Sequence, residues 1–224
     1  MVSQIVITPQ WFYGAATVLE AFAIIVAFFI AVLGYKAYKL TKEKQHLYFG
    51  AAFGLITLSF LARAATILYL STESTAIIRE LLTTNVFQLG RFFYVMLVLI
   101  AYLIILLIYT KLEHKKLIAV LLTAILAATF AIRNTTTTFF VISIVLLSFI
   151  TAQLYDNYRI KQKKATFFIF IAFLLQVFQY LSFLGGSYYD GFYVGAYLLQ
   201  FISYLILFIT LLKVQLHGRT KNAA

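Results

Sequence analysis

Residues 14–34 read GAATVLEAFAIIVAFFIAVLG, with Glu20 as the one ionisable side chain, and run directly into YKAYKLTKEK over 35–44, which carries Lys36, Lys39, Lys42 and Lys44. At about 1.5 Å of rise per residue, a helix over roughly 20 such residues matches the thickness of a bilayer's hydrocarbon core, about 30 Å. The run is longer than the apolar region of a secretory signal, no Lys or Arg precedes it, and its cations follow it. It reads as a retained spanning helix whose amino terminus lies outside and whose basic end lies in the cytoplasm.

The same grammar recurs along the chain. Apolar runs predict helices over 11–38, 46–70, 76–110, 114–133, 137–158, 164–185 and 191–215, giving an all-α, polytopic membrane protein with one seven-helix domain over 1–224. The composition agrees: 63% of the 224 residues are apolar and 11% charged, against about a quarter charged in soluble domains. Alternating the loops places Lys36, Lys39, Lys42, Lys44, Lys111, Lys115, Lys116, Arg159, Lys161, Lys163, Lys164, Lys213, Arg219 and Lys221 on one side, 14 of 18 cations. By the positive-inside rule that side is the cytoplasm, the amino terminus is outside, and the carboxyl terminus is inside. The net charge of +11 then points to a cell membrane with anionic headgroups on its cytoplasmic face, not to nucleic acid. Trp11, Phe12 and Tyr13, with Tyr188, Tyr189, Phe192 and Tyr193, form the expected outer aromatic belt. Asn134-Thr135-Thr136 is a glycosylation sequon on that side. The absence of cysteine excludes disulfides and thiolate metal sites.

Two offsets suggest an internal repeat. At 120 residues, Tyr38 aligns with Tyr158, Lys39 with Arg159, Lys44 with Lys164, Ala52 with Ala172, Phe53 with Phe173, Leu55 with Leu175 and Leu61 with Leu181. At 102 residues, Tyr102-Leu103-Ile104 aligns with Tyr204-Leu205-Ile206 and Lys111 with Lys213. Residues 11–110 and 137–215 then become parallel repeats joined by the fourth span.

A three-plus-one-plus-three plan with an outside amino terminus resembles the SWEET sugar transporters and the related PQ-loop and KDEL-receptor proteins, in topology and over most of the chain. Those families often carry a Pro-Gln pair in their helix bundles; the one pair here, Pro9-Gln10, precedes the first span, so no functional residue carries over. The stretch from Lys44-Gln45-His46-Leu47-Tyr48-Phe49-Gly50 to Arg63 also resembles uncharacterised archaeal multi-span proteins and the seven-helix sensor regions attached to some kinases. A rhodopsin-like protein needs a lysine midway along the seventh helix for retinal, whereas Lys213 sits at its cytoplasmic end.

A charge in hydrocarbon needs a partner or water, which singles out Glu20, Arg63 and Arg91. Counting about 1.5 Å per residue, they lie roughly 24, 26 and 30 Å from Lys36, His46 and Lys111, in the outer half. Glu20 shares a helical face with Ala16, Ala23, Ala27, Ala31 and Gly34, small residues that favour close packing, so it is expected to face the bundle and bridge to Arg63. Ser59 and Thr66 share Arg63's face; Thr84, Gln88 and Tyr102 share Arg91's. Gln176, Gln179 and Tyr180 line one face of the sixth helix, and Tyr193, Tyr197, Gln200 and Tyr204 one of the seventh.

These groups predict a polar cavity open to the outside, in which Arg63 and Arg91 anchor a small polar solute. Glu20 serves as counterion there, and Gln88, Gln176, Gln179, Tyr197 and Gln200 donate and accept hydrogen bonds. The competing expectation is a non-catalytic accessory or anchoring subunit that binds another membrane protein or its own copies, with the same residues as interhelical glue. No enzyme, metal site or cofactor is expected. The histidines His46, His114 and His217 fall near helix ends, Asp156 and Asp190 near opposite faces, and no nucleophile elbow is present.

Overall fold

An uninterrupted apolar run has no water to satisfy its peptide groups in a bilayer, so it closes its hydrogen bonds within itself as a helix. The structure, a computed structural model, describes residues 12–72, 76–110, 120–124, 127, 135–186 and 188–221, which are helical nearly throughout and contain no strand. Its long helices are α1 (Tyr13–Thr41), α2 (Lys44–Thr72), α3 (Ala76–Thr110), α4 (Thr135–Lys161), α5 (Lys164–Gly185) and α6 (Asp190–Lys221). Among the described residues, six helices are long and apolar enough to cross a membrane, as a multi-pass membrane protein requires. The expected fourth span, 114–133, lies largely outside the described residues; 120–124 and 127 within it are helical.

Several helices outrun their apolar cores. α1 continues three residues past the expected end at 38, and α6 runs to Lys221 rather than 215. Lys, Gln and Leu are good helix formers, so the helix does not end where hydrophobicity does. What stops α1 is Lys42, in the left-handed conformation at φ 60°, whose backbone N–H closes on the Tyr38 carbonyl at 2.8 Å. Gln162 ends α4 in the same way, at φ 46°, with its N–H on the Tyr158 carbonyl at 2.7 Å. The two turns are 120 positions apart.

The helices form a ring in which α1, α2, α3, α4, α5 and α6 pack successively and α6 returns to α1. Tight turns make α1 and α2, and α4 and α5, antiparallel. Paired contacts advancing together, Phe22 with Phe201 and Phe29 with Phe208, make α1 and α6 parallel. Arg91 with Thr136 and Tyr94 with Phe139 do the same for α3 and α4. Both basic turns therefore lie at one end of the bundle.

Burial follows the 120-residue offset closely. Ala23, Val26, Ala27 and Ile30 are buried on α1, and Ser143, Leu146, Leu147 and Ile150 on α4. Ala52, Phe53, Ile56, Ser59 and Phe60 on α2 correspond to Ala172, Phe173, Gln176, Gln179 and Tyr180 on α5, all buried. At offset 102, Val95, Val98, Ala101, Tyr102 and Ile105 on α3 match Tyr197, Gln200, Ser203, Tyr204 and Leu207 on α6. One close crossing breaks the pattern: a Cβ on Gly34 would lie 2.8 Å from the Gly50 Cα, so α1 and α2 touch backbone to backbone there, where Leu154 and Phe170 stand 120 residues later.

Candidate functional site

On α1, Ala16, Ala23, Ala27 and Gly34 are all buried, and this small-residue face carries Glu20 inward, 18% exposed at its side chain. Arg63 of α2, 35% exposed, places Nη2 3.1 Å from Glu20 Oε1. The Tyr197 hydroxyl of α6 donates to the same carboxylate oxygen at 2.7 Å, and Arg63 Nη2 donates to the Tyr197 oxygen at 3.4 Å. The result is a closed triangle of carboxylate, guanidinium and phenol drawn from three helices, at the end of the bundle opposite the basic turns.

Aromatic rings hold the triangle in place. Phe12 and Phe183 meet the Tyr197 ring edge-on, at 5.8 and 5.5 Å between centroids, and the Tyr193 hydroxyl lies 3.3 Å from that of Tyr197. The Arg63 guanidinium carbon sits 5.4 Å from the centre of the Tyr94 ring, a cation–π arrangement. Sequence reasoning missed Tyr94, which reads as one aromatic in an apolar run; only the packing of α3 beside α2 aims its ring at Arg63.

The other expected site residues do not join this triangle. Arg91 reaches across the α3–α4 interface to hydrogen-bond the Thr136 hydroxyl, while Gln88, one turn before it, is exposed. Ser59 and Thr66 donate to carbonyls of their own helix, those of Ile56 and Ala62, each at 2.7 Å. Gln176, Gln179 and Gln200 are buried on α5 and α6. Gln200 lies about 4.5 Å deeper than Tyr197 at 1.5 Å per residue, and Gln179 and Gln176 lie about 6 and 10 Å deeper than Phe183 by the same rise. Tyr102 and Tyr180 share a hydrogen bond of 2.9 Å across the bundle. Asn134 lies outside the described residues.

Chemically, the triangle is a neutralised ion pair. One carboxylate oxygen accepts from both partners, and a single Nη serves both acceptors, whereas a guanidinium carries five N–H donors on three nitrogens. Among the described residues, no three His, Asp or Glu side chains come together as a metal site would need. No family model, curated protein or solved structure matches the chain.

Proposed function

We propose that this protein is a non-enzymatic cell-membrane protein that binds, senses or transports a small polar solute from the outer side. The observation that carries the reading is the Glu20–Arg63–Tyr197 triangle, a partly exposed charge pair completed by a residue from the far end of the chain. Arg63 Nη2 holds both Glu20 and Tyr197 and the guanidinium also lies against Tyr94, so an incoming oxygen would take the N–H donors that these three contacts leave. Glu20 keeps the empty site neutral. Arg91, bound to Thr136, supplies positive potential on the opposite flank of α3.

In this reading the basic turns lie in the cytoplasm against anionic headgroups, and both repeats run in the same sense through the bilayer, related by an axis along the membrane normal. The matching left-handed turns at Lys42 and Gln162 and the matching burial support the repeat. Single cysteines at Thr135 and Lys163 should label from opposite sides of sealed vesicles, and labelling from one side only would overturn the orientation. The solute reading is tested by melting the detergent-solubilised protein with sodium acetate, glycerol or acetamide. At least one should raise the melting temperature of the parent, and Glu20→Gln should change the acetate response. No response from any solute would remove the reading.

A second reading, an accessory or anchoring subunit, draws on the saturation of the triangle by its own partners, since a buried pair can serve as a packing element. It predicts a stoichiometric protein partner, or a second copy of this chain, in native mass spectra after mild extraction.

A further inference from the structure

Two buried polar atoms among the described residues have no hydrogen-bond partner, Ser143 Oγ and Gln176 Oε1, and helical geometry brings them to the same place. The rings of Phe139 on α4 and Tyr180 on α5 lie 5.5 Å apart. Ser143 follows Phe139 by four residues and Gln176 precedes Tyr180 by four. On antiparallel helices both steps run one turn deeper on the same facing sides.

A second contact fixes the third wall. Ser203 of α6 donates to the Ala172 carbonyl of α5 at 2.9 Å. Gln176 lies four residues beyond Ala172 and Gln200 three before Ser203, so both stand one turn outward from that contact. Ser143, Gln176 and Gln200 thus form one layer, closed on the α3 side by Val98, which lies four residues below the Tyr94 that touches Phe139. All four are buried, Gln176 to 2% exposure.

The equivalent layer of the first three helices is apolar. Ala23 stands for Ser143, Ile56 for Gln176 and Val98 for Gln200, and all three belong to the hydrophobic core. The fold therefore does not need polar groups at this level, and burying them unpaired costs free energy. An amide oxygen can only accept, whereas the Ser143 hydroxyl can donate or accept, so a molecule that completes both must bring at least one donor. No charged residue belongs to the layer, so an ion there would lack compensation in a low-dielectric interior.

We propose that Ser143, Gln176 and Gln200 form a binding site for a small uncharged molecule bearing O–H or N–H donors, of the polyol or primary-amide class. This rests on the solute-binding reading above and gives it a neutral ligand held deeper than the ion pair. Melting of the 224-residue chain is followed against glycerol, acetamide, sodium acetate and sodium chloride. Specific binding raises the melting temperature logarithmically with concentration above the dissociation constant, whereas exclusion of a co-solvent from the surface acts on any folded protein.

The parent should show the logarithmic rise with glycerol or with acetamide, the stronger of the two identifying the class. Ser143→Ala with Gln176→Ile, which installs the first-half residues, should abolish it. If the double variant does not fold, Ser143→Ala alone should weaken the apparent affinity about three- to tenfold, as loss of one hydrogen bond predicts. The proposal is overturned if glycerol and acetamide act equally on parent and variant, if only sodium chloride acts, or if neither neutral probe acts. An acetate response that depends on Glu20, without a response to the neutral probes, would leave the outer site standing and remove this one. Silence from every probe would remove both.

Discussion

The first three helices and the last three bury many equivalent positions and differ in what they place there. At offset 120, Glu20 and Arg63 correspond to Phe140 and Phe183. The first pair closes at 3.1 Å as an ion pair; the second stacks ring on ring, 5.5 Å between centroids and 12° from parallel. One turn or two deeper the contrast reverses, with Ala23 and Ile56 in the first set against Ser143 and Gln176 in the second. The lesson is that a helix-packing frame fixes which positions face inward while leaving their polarity open. The same inward position is served by a stacked phenylalanine in one set and by an ion pair in the other.

Substitutions that carry residues from one set to the other break or sharpen this comparison. The largest effect is expected from Gly34→Leu, the residue found at 154. The α1–α2 crossing has backbone at 2.8 Å from any Cβ there, so overpacking should cost about 3 kcal/mol or more and abolish the monodisperse peak on size-exclusion chromatography. A well-behaved variant would mean that α1 and α2 can separate as α4 and α5 do.

Glu20→Gln comes next. It strands Arg63, which in a fully buried pair costs about 3–5 kcal/mol, but Arg63 is 35% exposed, and solvent screening reduces the expected loss to about 1–3 kcal/mol. Replacing both partners, Glu20→Phe with Arg63→Phe, should recover stability to within about 1 kcal/mol of the parent. Melting temperatures of the single and double variants decide this, and equal values for parent and single variant would place water around Arg63.

Tyr197→Phe removes one charge-assisted hydrogen bond to Glu20 and should cost about 1.5 kcal/mol, read from unfolding in denaturing detergent. The smallest effect is expected at Tyr180→Phe, which installs the counterpart Phe60. Loss of the 2.9 Å bond to Tyr102 should cost about 0.6 kcal/mol, the mean for interhelical hydrogen bonds in a membrane bundle. A cost above that of Tyr197→Phe would invert the ranking of the two sites.

Apolar length made the spans legible in the sequence. The expected 164–185 is α5, Lys164–Gly185. Ends were less legible, because Lys39 and Leu216 continue helices that hydropathy stops, and left-handed termination at Lys42 carries no glycine to announce it. The Glu20–Arg63 pairing was readable because both charges lie at similar heights on consecutive helices. The separation of Arg91 from them was not, since height and face on one helix say nothing about which neighbour that face meets. The packing of α3 on α4 turns Arg91 toward Thr136, and the packing of α3 on α2 brings Tyr94 to Arg63. Both depend on helix order around the ring, which no local pattern encodes.

The triangle also dictates an order of events on the ribosome. Tyr197 is 177 residues from Glu20, so at about 5–20 residues per second roughly 9–35 s pass after Glu20 is polymerised before its phenol partner exists. Arg63 follows after about 2–9 s on the same scale. The first hairpin can therefore shelter its own acid during insertion and wait, electrically neutral, for the last helix to be made. A cell that stalls translation between Arg63 and Tyr197 would hold a hairpin already at peace with the lipid, whereas one carrying Glu20 with a neutral residue at 63 would present a lone carboxylate to the quality-control machinery for the whole interval.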